Sequence, residues 1–288
     1  MSVVLEPPLR VLGLTETSFA QHYNKECFRF GHSLHRRQIF ASERVVELSE
    51  RARGAYCSTH EGAIEDGWGN GNSQPAMVRA VATLVDSKAL VLVKGLTDDP
   101  DFGPACREVL AELIERVGEE LRADLSASRA TLIASSPGRV TPYHIDAETN
   151  FLFQIHGRKT VSVFAPHDRS LLSERELEAF YAGDLSAAKY RKERQGEARV
   201  FELGPGDALH IPILSPHWVQ NGDDVSIAVS FNCSLRSNER LAKLYRFNAL
   251  LRRHGLRPAP AGTSPWRDRV KVALADAASF VRRLGARA

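Results

Sequence analysis

The sequence has little cysteine: Cys27, Cys57, Cys106 and Cys233 lie far apart and form no Cys-x-x-Cys pair. Scattered thiols in a chain of this length argue against a disulfide framework or a cysteine zinc site, and point to a reducing, cytoplasmic compartment. Long apolar runs are also missing. None approaches the ~20 residues of a membrane span. The opening Met-Ser-Val-Val-Leu-Glu-Pro-Pro lacks the basic start and apolar stretch of a secretory signal. With no internal repeat and no low-complexity segment, solenoid and fibrous classes fall away. What remains is an ordinary globular composition, 43% hydrophobic and 25% charged over 288 residues, enough for one large core with an appendage.

Charge is distributed unevenly. Residues 236–288 carry thirteen Lys/Arg against three acids, a net +10, which leaves the rest of the chain with 25 bases against 32 acids, a net −7. A basic tail on an acidic body can meet nucleic acid, meet an acidic partner, or dock on its own body. Solvated basic helix faces are common, so nucleic acid is the less favoured of these.

Hydrophobic periodicity predicts helices over 41–54, 76–86 and 103–122, a buried strand over 89–95, and a Gly/Asn/Asp-rich loop over 55–75. From residue 129 the period becomes two. Strands are expected at 130–135, 151–156 and 158–164, with His156-Gly157 as a tight turn, and again at 198–203, 207–213 and 225–232. The charged stretch 170–195 between them reads as a helical insertion. Two amphipathic helices, 237–254 and 265–284, close the chain, the first with an apolar stripe of Leu241, Leu244, Phe247 and Leu251. The pattern predicts a mainly β fold, a sandwich or barrel with flanking helices.

The chemistry concentrates in Thr141-Pro-Tyr-His-Ile-Asp-Ala-Glu-Thr-Asn and the residues that follow. His144 and Asp146, placed at the start of a β-hairpin, are i and i+2 on a strand and so share a face, with Ile145 turned away. Alone the pair is weak, since a surface hydrogen bond explains it as well. Lys159, on the expected strand 158–164, shares its face with the inward-looking Val161 and Val163. A lysine on an apolar face is costly unless an anion meets it or it snorkels out at the strand end. Downstream, His217 offers a third ligand, and two histidines with one carboxylate can hold one face of divalent iron. The remaining histidines, His156, His167 and His210, are expected to be structural or superficial. Trp218 is expected to pack around His217, and Trp68 in the 61–75 loop is a candidate pocket cover.

His144-Ile-Asp146, Asn150, Gln154-Ile155, Gly157 and Lys159, followed by Gly204-Pro-Gly-Asp207, Ile211-Pro212, His217 and Val229-Ser-Phe231, together resemble the Jumonji C branch of the Fe(II)/2-oxoglutarate-dependent oxygenases. The closest resemblance is to its cupin-like hydroxylases, such as the asparaginyl hydroxylase acting on hypoxia-inducible factor. The resemblance covers residues 138–235. It implies a double-stranded β-helix (jelly-roll, cupin) core and the cofactors Fe(II), 2-oxoglutarate and O2. It also implies that His144, Asp146 and His217 bind the metal, and that Lys159 with Thr141 holds the 5-carboxylate of the co-substrate. Asn150 is a further pocket candidate, and Ser230 and Asn232 compete for another. Other members of the superfamily use an arginine soon after the second histidine. Here no Lys or Arg lies between His217 and Arg236, which makes Lys159 the natural candidate. Leu152 and Ser215-Pro216 depart from the asparaginyl hydroxylase pattern, which bears on substrate identity.

The domain expectation is an oxygenase domain over 1–235, with a helical N-terminal part and a β core at about 125–235, then a basic helical extension over 236–288. The expected function is hydroxylation of a protein side chain or small molecule, with N-methyl demethylation ranked below it. The alternatives are a catalytically silent cupin-type binding or regulatory protein and a cupin enzyme independent of 2-oxoglutarate. Homodimerisation through the C-terminal helices is expected.

Overall fold

The computed structural model describes residues 10–13, 19–41, 44–45, 47–48, 56–58, 63–66, 84–86, 88–166 and 168–285. Two antiparallel sheets organise the chain. The larger has seven strands: Phe28–Gly31 (β1), Tyr56–Ser58 (β2), Leu90–Lys94 (β3), Leu125–Ser135 (β4), Thr149–His156 (β6), Asp207–Ile211 (β9) and Ser226–Leu235 (β11), ordered β1-β9-β6-β11-β4-β3-β2. The smaller contains Val140–His144 (β5), Lys159–Val163 (β7), Arg199–Leu203 (β8) and His217–Asn221 (β10), ordered β5-β10-β7-β8. The chain alternates between the sheets over β4–β7 and again over β8–β11, as in a jelly roll, so the expected cupin-type double-stranded β-helix is what the chain forms.

The sheets face each other across an apolar layer. Leu152, Leu209, Ile211 and Ala228 from the large sheet meet Val161, Val163, Leu203 and Val219 from the small one. The outer face of the large sheet is covered by the N-terminal elements and by the helix Gly103–Val117, after the short helix Phe19–His22; we call these α2 and α1. Outside the small sheet lies a third cluster, built from Tyr143, Ile145 and Phe164 with the helix Glu174–Tyr181 (α4) and the first C-terminal helix, Arg236–Arg253 (α5). The helix Glu119–Asp124 (α3) follows α2, and Pro265–Gly285 (α6) ends the described chain.

Several expectations need correction. The predicted helix 103–122 is two helices, because Gly118 adopts φ +88° and starts a new one. The strand expected at 130–135 begins at Leu125, where the weak strand formers of Ser126-Ala-Ser128 are held by pairing with β11. Strands β1, β5 and β10 were not anticipated as separate elements. β5 carries Pro142, which is tolerated because β5 is the edge strand of its sheet. The insertion 170–195 is helical only over α4, which a Ser173–Glu176 capping box starts; a 3-10 turn follows at Lys192–Glu197. Tyr56–Ser58 is a strand paired with β3, not loop. The helix expected over 76–86, most of the 61–75 loop with Trp68, most of the helix 41–54, and His167 lie outside the described residues. No helix among the described residues is long and apolar enough to cross a membrane.

Candidate active site

β5 and β10 pair so that His144 and His217 are direct cross-strand partners, their ring centroids 4.1 Å apart. Asp146 is not on the strand. β5 ends at His144, and the loop between β5 and β6 presents the carboxylate, so the strand-alternation argument gives the right grouping for the wrong local reason. One ligand atom from each of His144, Asp146 and His217 lies within 4.8 Å of the others, and His217 Nε2 is 3.9 Å from Asp146 Oδ2.

Both imidazoles are held in the tautomer that a metal needs. His144 Nδ1 donates to the Pro142 carbonyl at 2.7 Å, and His217 Nδ1 donates to the Ser215 carbonyl at 2.9 Å. Carbonyls only accept, so each Nδ1 carries the hydrogen and each Nε2 offers its lone pair. Burial, then the neighbouring His144, push His217 down to about 4 while Asp146 opposes the shift. The ring is therefore neutral at ordinary pH, as a ligand must be. The Ser215 carbonyl is placed by a sharp turn in which Leu214 takes φ +58°. Leu214 N–H also donates to the Asp146 carbonyl at 3.1 Å, which ties the two ligand-bearing loops together.

These groups open onto a cavity of about 450 Å³. Thr141, His144, Asp146, Asn150, Lys159, His217, Ser230 and Asn232, every site residue anticipated from sequence, line it. Lys159 lies on β7 opposite Asn221, whereas the metal row holds His217 opposite Val163. Four residues of strand separate the two rows, about 13 Å at 3.3 Å per residue. Its side chain is 5% exposed, shares its face with Val161 and Val163, and has no hydrogen-bond or ion-pair partner among the described residues. Burial alone brings its ammonium down to about 8. It does not snorkel out.

Ser230 and Asn232 both line the cavity. They are i and i+2 on β11, and Asn150 is the register partner of Asn232. Asn150 Nδ2 donates to Ser230 Oγ at 2.9 Å and Ser230 Oγ donates to Asn232 Oδ1 at 3.2 Å, one chain across the floor. Asn150 Oδ1 is buried and unpartnered. Leu152 lies beside this chain on the cavity wall.

Sequence reasoning missed the wall contributed by β3 and β4, including Lys94 and Thr131, and the residues Glu148, Phe180 and Leu185. The run 89–95 reads as a buried strand, but nothing local reveals that its face lines the site. Burial, reinforced by Asp146 and opposed by Arg129 and Lys94, raises the Glu148 carboxyl above its usual range. His210, fully buried, donates from Nδ1 to the Asn150 carbonyl and accepts the Asn24 N–H at Nε2, a structural role. His156 is exposed at its turn. Trp218 packs in the outer cluster and donates to Gln195 Oε1 at 3.0 Å.

A jelly roll carrying two histidines and a carboxylate at one end of a cavity defines the class: a cupin-type protein with a donor set that could hold a metal ion. The chain belongs to the cupin-like domain family, whose model matches residues 70–236. This bears out the resemblance read from residues 138–235. Among curated proteins it is similar to lysine-specific demethylase 8 of Xenopus tropicalis, at 32% identity over 102 residues, covering 33% of this chain and 22% of that protein. It is also similar to the uncharacterized protein YxbC of Bacillus subtilis, at 30% identity over 131 residues, covering 41% of this chain and 38% of that protein. The chain thus spans well under two thirds of these relatives. Among solved structures it is similar to the ribosomal oxygenase YcfD of Escherichia coli in complex with cobalt and 2-oxoglutarate. The TM-score is 0.51 at 16% identity, covering 93% of this chain and 67% of that one, a likeness of fold.

Proposed function

We propose that this chain is an Fe(II)- and 2-oxoglutarate-dependent oxygenase. The observation that carries the reading is the joint occurrence, in one cavity, of a clustered His144–Asp146–His217 donor set and a buried, unpartnered Lys159. The donor set fits divalent iron, and the lysine fits the distal carboxylate of a dianionic co-substrate. Bound iron would supply the oxidation, in which O2 and 2-oxoglutarate become CO2 and succinate as a substrate C–H becomes C–OH.

The chain's own residues do the rest. His144, Asp146 and His217 hold one face and leave the other open. The Lys159 ammonium and the Thr141 hydroxyl orient the far carboxylate, while Asn150 and Ser230, linked to Asn232, present polar groups along the floor. Leu152, Val161 and Val219 keep water from the cavity's inner end.

The substrate in this reading is a protein side chain or a small molecule, and the outcome is hydroxylation. Demethylation of an N-methyl group begins with the same hydroxylation and follows it with loss of formaldehyde. The organisation proposed is an oxygenase domain over 1–235 and a helical extension over 236–288, in a cytoplasmic protein. A homodimer through the C-terminal helices is part of the proposal. Leu244 is buried within the chain, so the surface offered for pairing is Leu250 on α5 with Trp266, Val270 and Leu274 on α6, all exposed. Light scattering of Leu274→Glu against the parent chain tests it, and equal masses would remove the dimer.

The test of the activity is anaerobic addition of Fe(II) and then 2-oxoglutarate, with a weak visible charge-transfer band expected. The band should disappear in Lys159→Ala at low co-substrate. Iron binding without a band would sink the co-substrate assignment, and absence of iron binding would sink the oxygenase reading.

A further inference from the structure

Asp146 is the ligand with the least support from regular structure. His144 and His217 are pinned by a strand ladder, whereas Asp146 stands in a loop of four residues between β5 and β6. Two hydrogen bonds to that loop come from distant parts of the chain. One is Leu214 N–H to the Asp146 carbonyl. The other comes from the C-terminal extension: Asn238 Nδ2 donates to the carbonyl of Ala147, the next residue, at 2.5 Å.

Asn238 is well placed for this. β11 runs straight into α5, and the register Cys233↔Thr149 brings the start of α5 beside the start of β6, where the loop re-enters the sheet. Asn238 is 8% exposed and is fixed from its other end, because Tyr181 Oη donates to Asn238 Oδ1 at 2.7 Å. Tyr181 is held in turn by stacking on Tyr245 at 5.4 Å and 5°, and by Arg246 Nε donating to its carbonyl. One carboxamide therefore joins α4, α5 and the loop carrying Asp146. With both ends engaged, the side chain has one rotamer and one flip state, so the loop carbonyl meets a fixed donor.

We infer that Asn238 is a positioning residue that sets the Asp146 loop for metal binding, so that the C-terminal extension is a working part of the metal centre. The inference rests on the oxygenase reading only in taking His144, Asp146 and His217 as metal ligands. Partners of this kind that orient ligands typically change metal affinity 10–100-fold when removed.

The experiment titrates the metal-free full chain with Co(II), following the cobalt absorption bands, and measures thermal midpoints without metal in parallel. Asn238→Leu removes both hydrogen bonds. Asn238→Asp can still accept from Tyr181 but places a carboxylate oxygen against the Ala147 carbonyl. Ser237→Ala is the structural control: the neighbouring residue, bonded to Asp124 through both its backbone N–H and its hydroxyl, faces away from the loop. The expected result is cobalt binding weakened at least tenfold in both Asn238 variants, with altered bands, and unchanged binding in Ser237→Ala even where its thermal midpoint falls. Parent-like cobalt affinity in either Asn238 variant would overturn the inference, and so would an affinity loss in Ser237→Ala matching theirs. If the parent chain itself fails to bind cobalt, the metal centre and the oxygenase reading fall with it, a result distinct from failure of Asn238 alone.

Discussion

His144 and His217 face each other across the β5–β10 ladder as direct register partners, so two ligands from positions 73 residues apart are fixed by one pair of strands. Cross-strand partners lie about 4.5–5.5 Å apart at Cβ, a spacing that lets both Nε2 atoms converge on one point without loop rearrangement. Because Asp146 completes the set from a loop, the three ligands differ in how firmly the fold holds them.

Asp146→Asn retains shape and backbone bonding but removes the anionic donor. Binding of Co(II) or Fe(II) is expected to weaken by more than about 100-fold, beyond the effect of losing an outer partner, with the thermal midpoint of the metal-free protein nearly unchanged. Calorimetric titration with Co(II) measures it. An affinity within a few-fold of the parent would mean that Asp146 is not a ligand.

Lys159 should cost stability in exchange for the role proposed for it. Its folded-state value of about 8 lies below the usual 10.5, so the unfolded chain binds the proton more tightly and the charged form disfavours folding below pH 8. Lys159→Met is therefore expected to stabilise the protein at pH 7 by on the order of 1–3 kcal/mol, read by urea denaturation. A destabilised variant would reveal a partner for the ammonium.

In the proposed role of holding the 2-oxoglutarate carboxylate, the same group sets a pH dependence of co-substrate binding. Below about pH 8 the free protein presents an ammonium, and above it a neutral amine. The affinity of the Co(II)-loaded protein for 2-oxoglutarate should hold between pH 7 and 8 and fall steadily towards pH 9.5. A flat profile would take Lys159 out of the carboxylate site.

Buried neutral histidines predict acid sensitivity. His32 accepts the Leu34 N–H at Nδ1, and His210 accepts the Asn24 N–H at Nε2, so protonation breaks a bond in each. Burial lowers them to about 4 and about 3 from 6.5. The unfolded chain takes up protons first, so stability is full above pH 6.5 and drains away as the pH falls. The expected loss is about 2 kcal/mol per histidine between pH 6.5 and 5. Thermal midpoints across that interval check it, and a level profile would count against it.

Gly157 turns the chain between β6 and β7 at φ +69°, and a Cβ there would lie 2.3 Å from the Val225 carbonyl oxygen. Gly157→Ala is expected to destabilise the fold by more than about 2 kcal/mol and, by displacing the start of β7, to weaken 2-oxoglutarate binding. Denaturation and co-substrate titration on the same variant separate the two effects.

Much of the site was legible because its residues lie close together in sequence. His144, Asp146, Asn150 and Lys159 fall within one hairpin region, and the period-two pattern placed Lys159 on the inward face where the structure has it. Less legible were β5 and β10, short strands containing Pro142 or polar residues, whose existence depends on their partners. The register of Asn150 with Asn232 and its hydrogen bond to Ser230 were also out of reach, because register between distant strands is a tertiary property.

The sequence by itself determined the candidate ligand types, the inward lysine and a mainly β sandwich or barrel, since residue chemistry and strand alternation are local; the jelly-roll class came with the family resemblance. Only the tertiary structure decided that Asp146 stands in a loop, that β3, β4 and α4 wall the cavity, and that Asn238 reaches the Ala147 carbonyl. Those facts depend on which distant segments pack together. Burial of apolar surface over the whole chain sets that packing, and it leaves no periodic mark in any one segment.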